Sequence, residues 1–538
     1  MHLRKDENIL RLPIGISELR KKERVYVDKT KHAHYLITEE TRTFLSRPRR
    51  FGKSLFTSTL EAILQGKKEL FEGLWIADSN YHWQPTGVIR LDFSQLSLLN
   101  IEQFISSFIF LLKKIGEKNE VILDDTSDLN TLFMSLIFAL HKKFPSTYVA
   151  ILIDEYDYPI LHTLHNPVFA KEIREIMKNF SSVIKGQAEY VQFVFVTAVS
   201  AFSKSGLSSG LNNLKNLTML ESFFDICGYT NEEVDRYFTE HMQEWSKLRN
   251  IPYAEVREKL KAWYNGYLFH QKTPTIYSPF SLTCALDIKE IRNFWFESAT
   301  PQFLLEELKK AERHEECKFL DLDQFQGSMD LLQTFEIENI PLAALLFQMG
   351  YLTLDTYDPL FGIYALRYPN LEVKTALHKH LLIVLTQITA SPFEQLMAQF
   401  GKALVQEDMQ LLIDCLLKVF AKIPYPLYEK KPEKLYHAVV QALFVASGLK
   451  SHAEYSTSLG RANVILELPM ITYIFEIKVD LSPEKALKQI ESQIYYEPFI
   501  STNKPICAVG LSFIRKKATS KKASSFSITY ASKRIDAN

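Results

Sequence analysis

A chain of 538 residues is too long for one hydrophobic core, so two or three domains are expected. Its 46% hydrophobic and 23% charged content is ordinary for a globular protein, and 63 basic side chains cancel 63 acidic ones. That balance excludes a global field that drives the protein onto nucleic acid or a membrane surface, so any basic binding surface has to be local.

Five scattered cysteines (Cys227, Cys284, Cys317, Cys415, Cys507) form no CxxC pair. This argues against a zinc site or a disulfide framework and fits a reducing compartment. The opening "MHLRKDENILRLP" has no apolar h-region, and runs such as "YVAILI" are far shorter than a membrane span. A cytoplasmic protein with no membrane partner is expected.

The first half alternates short apolar runs with helical patterns. Residues 42–46, 88–94, 148–155 and 192–200 read as strands buried on both faces, with helices over roughly 53–65, 101–115, 129–143 and 168–186. Strand, helix, strand at this spacing predicts parallel pairing with right-handed crossovers. The expected fold class is α/β, with a three-layer parallel-sheet domain over residues 1–225. Ahead of the first strand, "YVDKT" (26–30) places Asp28 either beside a ligand or as an N-cap of the next helix.

After the first strand comes "RPRRFGKSLF" (47–56), in the strand–loop–helix context of a phosphate-binding loop. Gly52 permits close backbone approach to an anion, Lys53 brings a point charge to the outer phosphates, and Ser54 offers its hydroxyl to Mg2+. Arg49, Arg50, Phe51 and Leu55 complete the candidate contact set for ATP. Arginine stands at position 47, where such a loop usually opens with glycine. A basic turn capped by Ser54 is the competing reading.

The strand "AILI" ends in Asp154 and Glu155, where open parallel sheets bind ligands. Asp154 is expected to hold Mg2+ and Glu155 to polarise an attacking water, the parts that phosphoryl transfer needs beside the phosphate loop. Two acids at a strand tip also serve as plain helix-cap partners. Thr197 and Ser200 close the following strand and either touch the γ-phosphate or start the next turn. Asn212 and Asn213 in "SGLNNLKNL" (209–217) allow contacts to nucleotide or a neighbouring subunit, or a simple turn, and "WYNGY" (263–267) reads as an Asn-Gly turn between packed aromatics.

From "GYTNEEVDRYF" (228–238) to about residue 420 the pattern is mainly helical, giving a lid or linker region over 226–420. It includes segments at 256–267 and 300–312 and a helix after the Pro-Asn turn of "YPNLEVKTALHKH" (368–380). The proline-rich "IPYPLYEKKPEKLY" (423–436) marks a boundary. Residues 421–538 then read as a compact α/β unit: a helix (432–449), strands in "HAEYSTS", "RANVILEL" and "ITYIFEIKV", a helix (482–492) and a strand (505–513).

The phrases "PIGISELR…YVDKT", "LSRPRRFGKSL", "GKKELFEGLWI", "ILIDEYDYPI", "SGLNNL" and "WYNGY", with "FEIK" and "ALKQIESQIYY" later, resemble the AAA-ATPase-like family fused to a C-terminal PD-(D/E)XK nuclease-like domain. The resemblance covers nearly the whole chain. It implies a P-loop NTPase core, a restriction-endonuclease-like C-terminal fold, ATP and Mg2+ as cofactors, and a loop in which arginine at 47 is usual.

In the nuclease pattern, an aspartate at one strand end joins an acid and a lysine on the next strand to hold Mg2+ and orient water. Glu476 and Lys478 match the second part, on one strand face because side chains alternate. Asn463 stands where the pattern carries aspartate, and a neutral carbonyl is a poor substitute for a hard cation. Glu433 matches a helix acid of some such nucleases, and Glu433 or Glu454 is a candidate to make up the loss. Gln489 and the run Arg515, Lys516, Lys517, Lys521 and Lys522 offer contacts to a DNA or RNA backbone, or only a solvated face.

The expectation is an ATP-binding, ATP-hydrolysing protein whose C-terminal domain binds nucleic acid, its nuclease site impaired by Asn463. The alternatives are an ATP-gated Mg2+-dependent nuclease and an NTP-dependent switch or scaffold. Homo-oligomers are common in this broad class by analogy. Arg174 and Arg236 are arginine-finger candidates without a spacing argument.

Overall fold

The computed structural model describes residues 15–200, 214–295, 325–333, 341–423, 432–456, 461–501, 504–516 and 525–535. Asn212, Asn213, Cys317, the 300–312 segment, Lys517, Lys521 and Lys522 lie outside these residues. So do the side chains of Glu433, Glu454, Asn463, Arg515 and Lys516. The described chain divides into two units, one ending at Glu372 and the other beginning at Val373. The stretch from 226 to 420 is therefore shared between them.

In the first unit, β1 (Arg42–Ser46), β2 (Gly87–Asp92), β3 (Val149–Asp154), β4 (Val191–Ala198) and β5 (Lys215–Asn216) form one sheet in the order β2-β3-β4-β1-β5. Every neighbouring pair is parallel. All six residues of β3, Val-Ala-Ile-Leu-Ile-Asp, are buried, as expected of a strand covered on both faces. The helices Ile101–Lys118, Leu129–Lys143 and Pro167–Gly186 fill one face, where Phe108, Phe133 and Phe180 join the core of Ile151, Ile153 and Val194. On the other face the helix Lys53–Leu64 brings Phe56 edge-on to Phe195 at 5.7 Å. The layers, the parallel pairing and the positions of β1 to β4 agree with the sequence reading to within a few residues.

Beyond the sheet, the helix Asn231–Arg249 opens with a capping box between Thr230 and Glu233. The helix Tyr253–Tyr264 ends in the Asn265–Gly266 turn. Gly266 has φ 104°, and a Cβ there would lie 1.8 Å from the Pro369 carbonyl oxygen, so glycine is needed for both backbone and approach. This otherwise helical stretch also holds an antiparallel sheet of β6 (Gln326–Ser328), β7 (Thr353–Asp358) and β8 (Ile363–Arg367), ordered β6-β8-β7. The expected helix after the Pro-Asn turn runs over Leu371–Thr386.

The second unit carries β9 (Lys450–Ser456), β10 (Arg461–Glu467), β11 (Thr472–Val479), β12 (Ile506–Lys516) and β13 (Ser525–Ile535), adjacent in the order β13-β12-β11-β10-β9. Only β11 and β12 pair in parallel. Ile465, Ile474, Ile506 and Ala508 pack with Ile490 of the helix Pro483–Ser492, while Phe475 meets Phe444 of the helix Pro432–Ala446 at 4.8 Å. Among the described residues no single helix is long and apolar enough to cross a membrane.

Candidate functional sites

Gly52 ends the turn after β1 with φ 92°, and the helix Lys53–Leu64 follows at once. That glycine lets the chain leave the strand and present its next N–H groups in a helix's first turn, where they have no intrahelical acceptor. Lys53 is 4% exposed, and its Nζ donates to the carbonyls of Arg47 (2.9 Å) and Pro48 (3.1 Å). The ammonium thus sits inside the curve of its own loop.

Arg47 is not a phosphate-facing residue. It is 1% exposed, with Nη1 donating to the carbonyls of Ser46 (2.9 Å) and Thr218 (2.7 Å), and Nη2 to those of Phe223 (2.9 Å) and Phe224 (3.4 Å). Its guanidinium lies 3.8 Å over the Phe269 ring. Burial pushes its pKa down to about 10, which leaves it a cation at neutral pH. The side chain that replaces the usual glycine therefore bolts the start of the loop to the 218–224 segment. Arg47→Ala is expected to lower stability by about 3–5 kcal/mol, because four carbonyls lose a buried charged donor. Urea or thermal unfolding of the full chain checks this, and an unchanged midpoint would contradict the bolt.

The other loop residues divide by role. Arg49 is half-buried beside His162, with Nη2 3.4 Å from Nε2, and its carbonyl accepts from Trp295 Nε1 at 2.9 Å. Arg50 is exposed, in left-handed backbone (φ 66°), with its guanidinium 4.8 Å over Phe280. Phe51 is buried edge-on against Tyr267 at 4.7 Å and anchors the loop through its ring. Leu55 and Gly52 line a cleft with Val25, Val27, Ile226 and Cys227. Asp28, at the edge of that region, accepts from the N–H groups of Thr30 and Trp75, both at 2.8 Å, which makes it a turn-closing residue.

The acidic pair arrives on β3, two strands from β1. Asp154 is 1% exposed, and its Oδ1 accepts from Thr197 Oγ1 at 2.5 Å. Thr197 lies on β4, which separates β1 from β3, so this bond fixes the carboxylate between them. Glu155 is the next residue, with φ 53°. Left-handed backbone costs a non-glycine residue about 1–2 kcal/mol, and it swings this side chain off the strand's alternation. Burial raises the Glu155 pKa; Lys53 and Arg49 pull it back, and Asp157 and Asp154 push it up. Lys53 and Glu155 are therefore close enough to sense each other's charge. Ser54, Lys53, Asp154, Glu155 and Thr197 converge at the C-terminal edge of one sheet.

Two residues there escaped the sequence reading. Asp157 accepts from the N–H groups of Val199 (3.0 Å) and Ser200 (2.6 Å) and from Ser200 Oγ (2.7 Å), locking the end of β4. Ser200 is thereby a structural partner. Arg90 on β2 reaches the Ser54 carbonyl (3.4 Å) and Asp154 Oδ2 (3.8 Å). An arginine inside the apolar run "VIRLD" was the visible signal.

In the second unit Glu476 is 1% exposed, and its Oε1 accepts from Lys478 Nζ at 2.9 Å. Across the sheet Val464 pairs with Phe475, which puts Asn463 opposite Glu476 by continuation of the antiparallel register. On the other side Ala462 pairs with Tyr455 and Val464 with Ala453, so Glu454 falls opposite Asn463. The three positions share one row over β9, β10 and β11. Gln489 Nε2 donates to Tyr495 Oη at 3.1 Å, a contact within the unit. No group of three His, Cys, Asp or Glu side chains among the described residues is placed to hold a metal ion. Among the described side chains, Glu476 with the Lys478 ammonium on it is a poor start for a divalent-ion site, whereas Ser54 and Asp154 are hard oxygen donors that fit Mg2+ together with phosphate oxygens.

A model of the AAA-ATPase-like family, a predicted AAA-ATPase, matches residues 13–208, and a model of the PD-(D/E)XK nuclease superfamily matches residues 431–523. An "Uncharacterized protein in vnfD 5'region" of Azotobacter chroococcum mcd 1 is 35% identical over 518 residues, 94% of this chain and 96% of that relative. No solved structure matches the chain.

Proposed function

The chain belongs to the predicted AAA-ATPases that carry a C-terminal PD-(D/E)XK-superfamily domain, and from that premise we propose that it binds and hydrolyses ATP and uses its C-terminal domain to bind nucleic acid without cutting it. One observation carries the first part: Glu155, held in left-handed backbone at the tip of β3, follows an Asp154 that Thr197 pins and that shares Arg90 with the Ser54 carbonyl of the phosphate loop. The N–H groups after Gly52 and the Lys53 ammonium bind the outer phosphates. The apolar cleft along Val25, Val27, Leu55 and Ile226 takes the base. Ser54 and Asp154 would hold Mg2+, which supplies charge neutralisation between the phosphates. Glu155 orients a water towards the γ-phosphate and accepts its proton. Phosphate release from ATP by the full chain, in Mg2+ against EDTA, is the direct test.

The second part rests on Asn463 opposite Glu476. With asparagine instead of aspartate at that row position and Lys478 on the Glu476 carboxylate, weak divalent-ion binding and no cleavage are expected. Plasmid and single-strand cleavage in Mg2+ or Mn2+ should be absent for the wild type and gained by Asn463→Asp. A wild type that cuts, and a Lys478→Ala that does not, would overturn the non-cutting reading. Nucleic-acid binding itself is read by gel shift of the uncut strands.

A further inference from the structure

Asp154 has two carboxylate oxygens, and both face protein groups. Oδ1 takes the Thr197 hydroxyl at 2.5 Å, and Oδ2 faces Arg90 Nη2 at 3.8 Å. The guanidinium is held in place from behind. Its Nη1 donates to Glu61 Oε2 at 3.1 Å, and the other Glu61 oxygen accepts from Lys118 Nζ at 2.8 Å. Its Nη2 also donates to the Ser54 carbonyl at 3.4 Å, so one cation touches the phosphate loop and the acidic strand tip together. The Asp154 side chain is 2% exposed and that of Arg90 21%, so water screens this pair less than it would on the surface.

We propose that Arg90 is the resident counter-cation of Asp154 and makes divalent-ion binding depend on nucleotide. The inference rests on the nucleotide reading of this site and names its order of binding. A buried carboxylate without a cation is costly, and Arg90 supplies one in the metal-free protein. The same charge repels a bare divalent ion approaching Oδ2, since like charges a few ångströms apart in a partly dry site interact strongly. Triphosphate adds enough negative charge to offset it. The site accepts a metal–nucleotide complex and refuses the metal alone. Arg90 is a positioning residue in this account: it binds neither metal nor phosphate and acts by its charge beside Asp154 and by its hold on the Ser54 turn.

The test is Mn2+ binding to the full chain, followed by electron paramagnetic resonance without nucleotide. Arg90→Gln should bind Mn2+ about tenfold more tightly than the wild type, Arg90→Lys should restore the wild-type value, and adding Asp154→Asn to Arg90→Gln should abolish the gain. The double variant distinguishes this site from any Mn2+ held near Glu476. A merely structural arginine predicts the opposite sign, so Mn2+ affinity unchanged or weakened in Arg90→Gln overturns the proposal. Binding of a fluorescent ATP analogue in EDTA is measured beside it: its absence in the wild type defeats the nucleotide reading, while the Mn2+ series still reads Arg90. Should Arg90→Gln fail to fold by circular dichroism, Arg90→Met takes its place with the same expected sign.

Discussion

Lys53→Ala is expected to weaken ATP binding by roughly ten- to a hundredfold. Its ammonium is 4% exposed inside the loop, where a charge-assisted bond to phosphate contributes roughly 1.5–3 kcal/mol, and each 1.4 kcal/mol is tenfold in affinity. The lysine also holds the carbonyls of Arg47 and Pro48, so the substitution leaves two loop acceptors unserved. Titration with a fluorescent ATP analogue, beside a thermal melt, distinguishes lost clamping from lost folding. Equal affinity in wild type and variant would refute the phosphate-loop assignment.

Glu155→Gln is the second large effect. Glutamine keeps the shape and the backbone of the site but cannot take a proton from water, so hydrolysis should fall by roughly 10²–10⁴. ATP affinity should stay within about threefold. The wild type has a further signature. Burial raises the Glu155 pKa, and only the ionised carboxylate serves as base, so turnover should climb with pH through that raised value. Glutamine has no such ionisation, and the climbing limb should vanish with it. A variant that turns over at the wild-type rate, or keeps the limb, would assign the base elsewhere.

The layers of the first unit were legible because a strand buried on both faces leaves a run of apolar residues, and β1 to β4 each have one. The C-terminal acidic tip was legible because Asp154 and Glu155 interrupt such a run. Legibility failed where neighbours in space are far apart in sequence. No local pattern tells that Arg47 finds the carbonyls of Thr218 and Phe223, or that Arg90 serves Asp154. β13 escaped for a different reason. It is an edge strand, mostly exposed where its side chains are described, so its residues carry little apolar signal, and the basic run before it suggested only phosphate contacts or a solvated face. The small sheet β6-β8-β7 was hidden likewise, since four of the six β7 residues are exposed. Asn463 was legible as a departure from a pattern, and its place in the row with Glu476 came only from strand register.

The phosphate loop is tethered at two points ahead of its bend at Gly52. Arg47 fastens its start to the 218–224 backbone, and the Arg49 carbonyl is held by the Trp295 indole. A loop so restrained has little conformational freedom left to surrender when a ligand arrives, so most of the interaction free energy goes into affinity. Rapid capture with small backbone adjustment follows, the lysine tip turning from its own carbonyls towards the incoming anion.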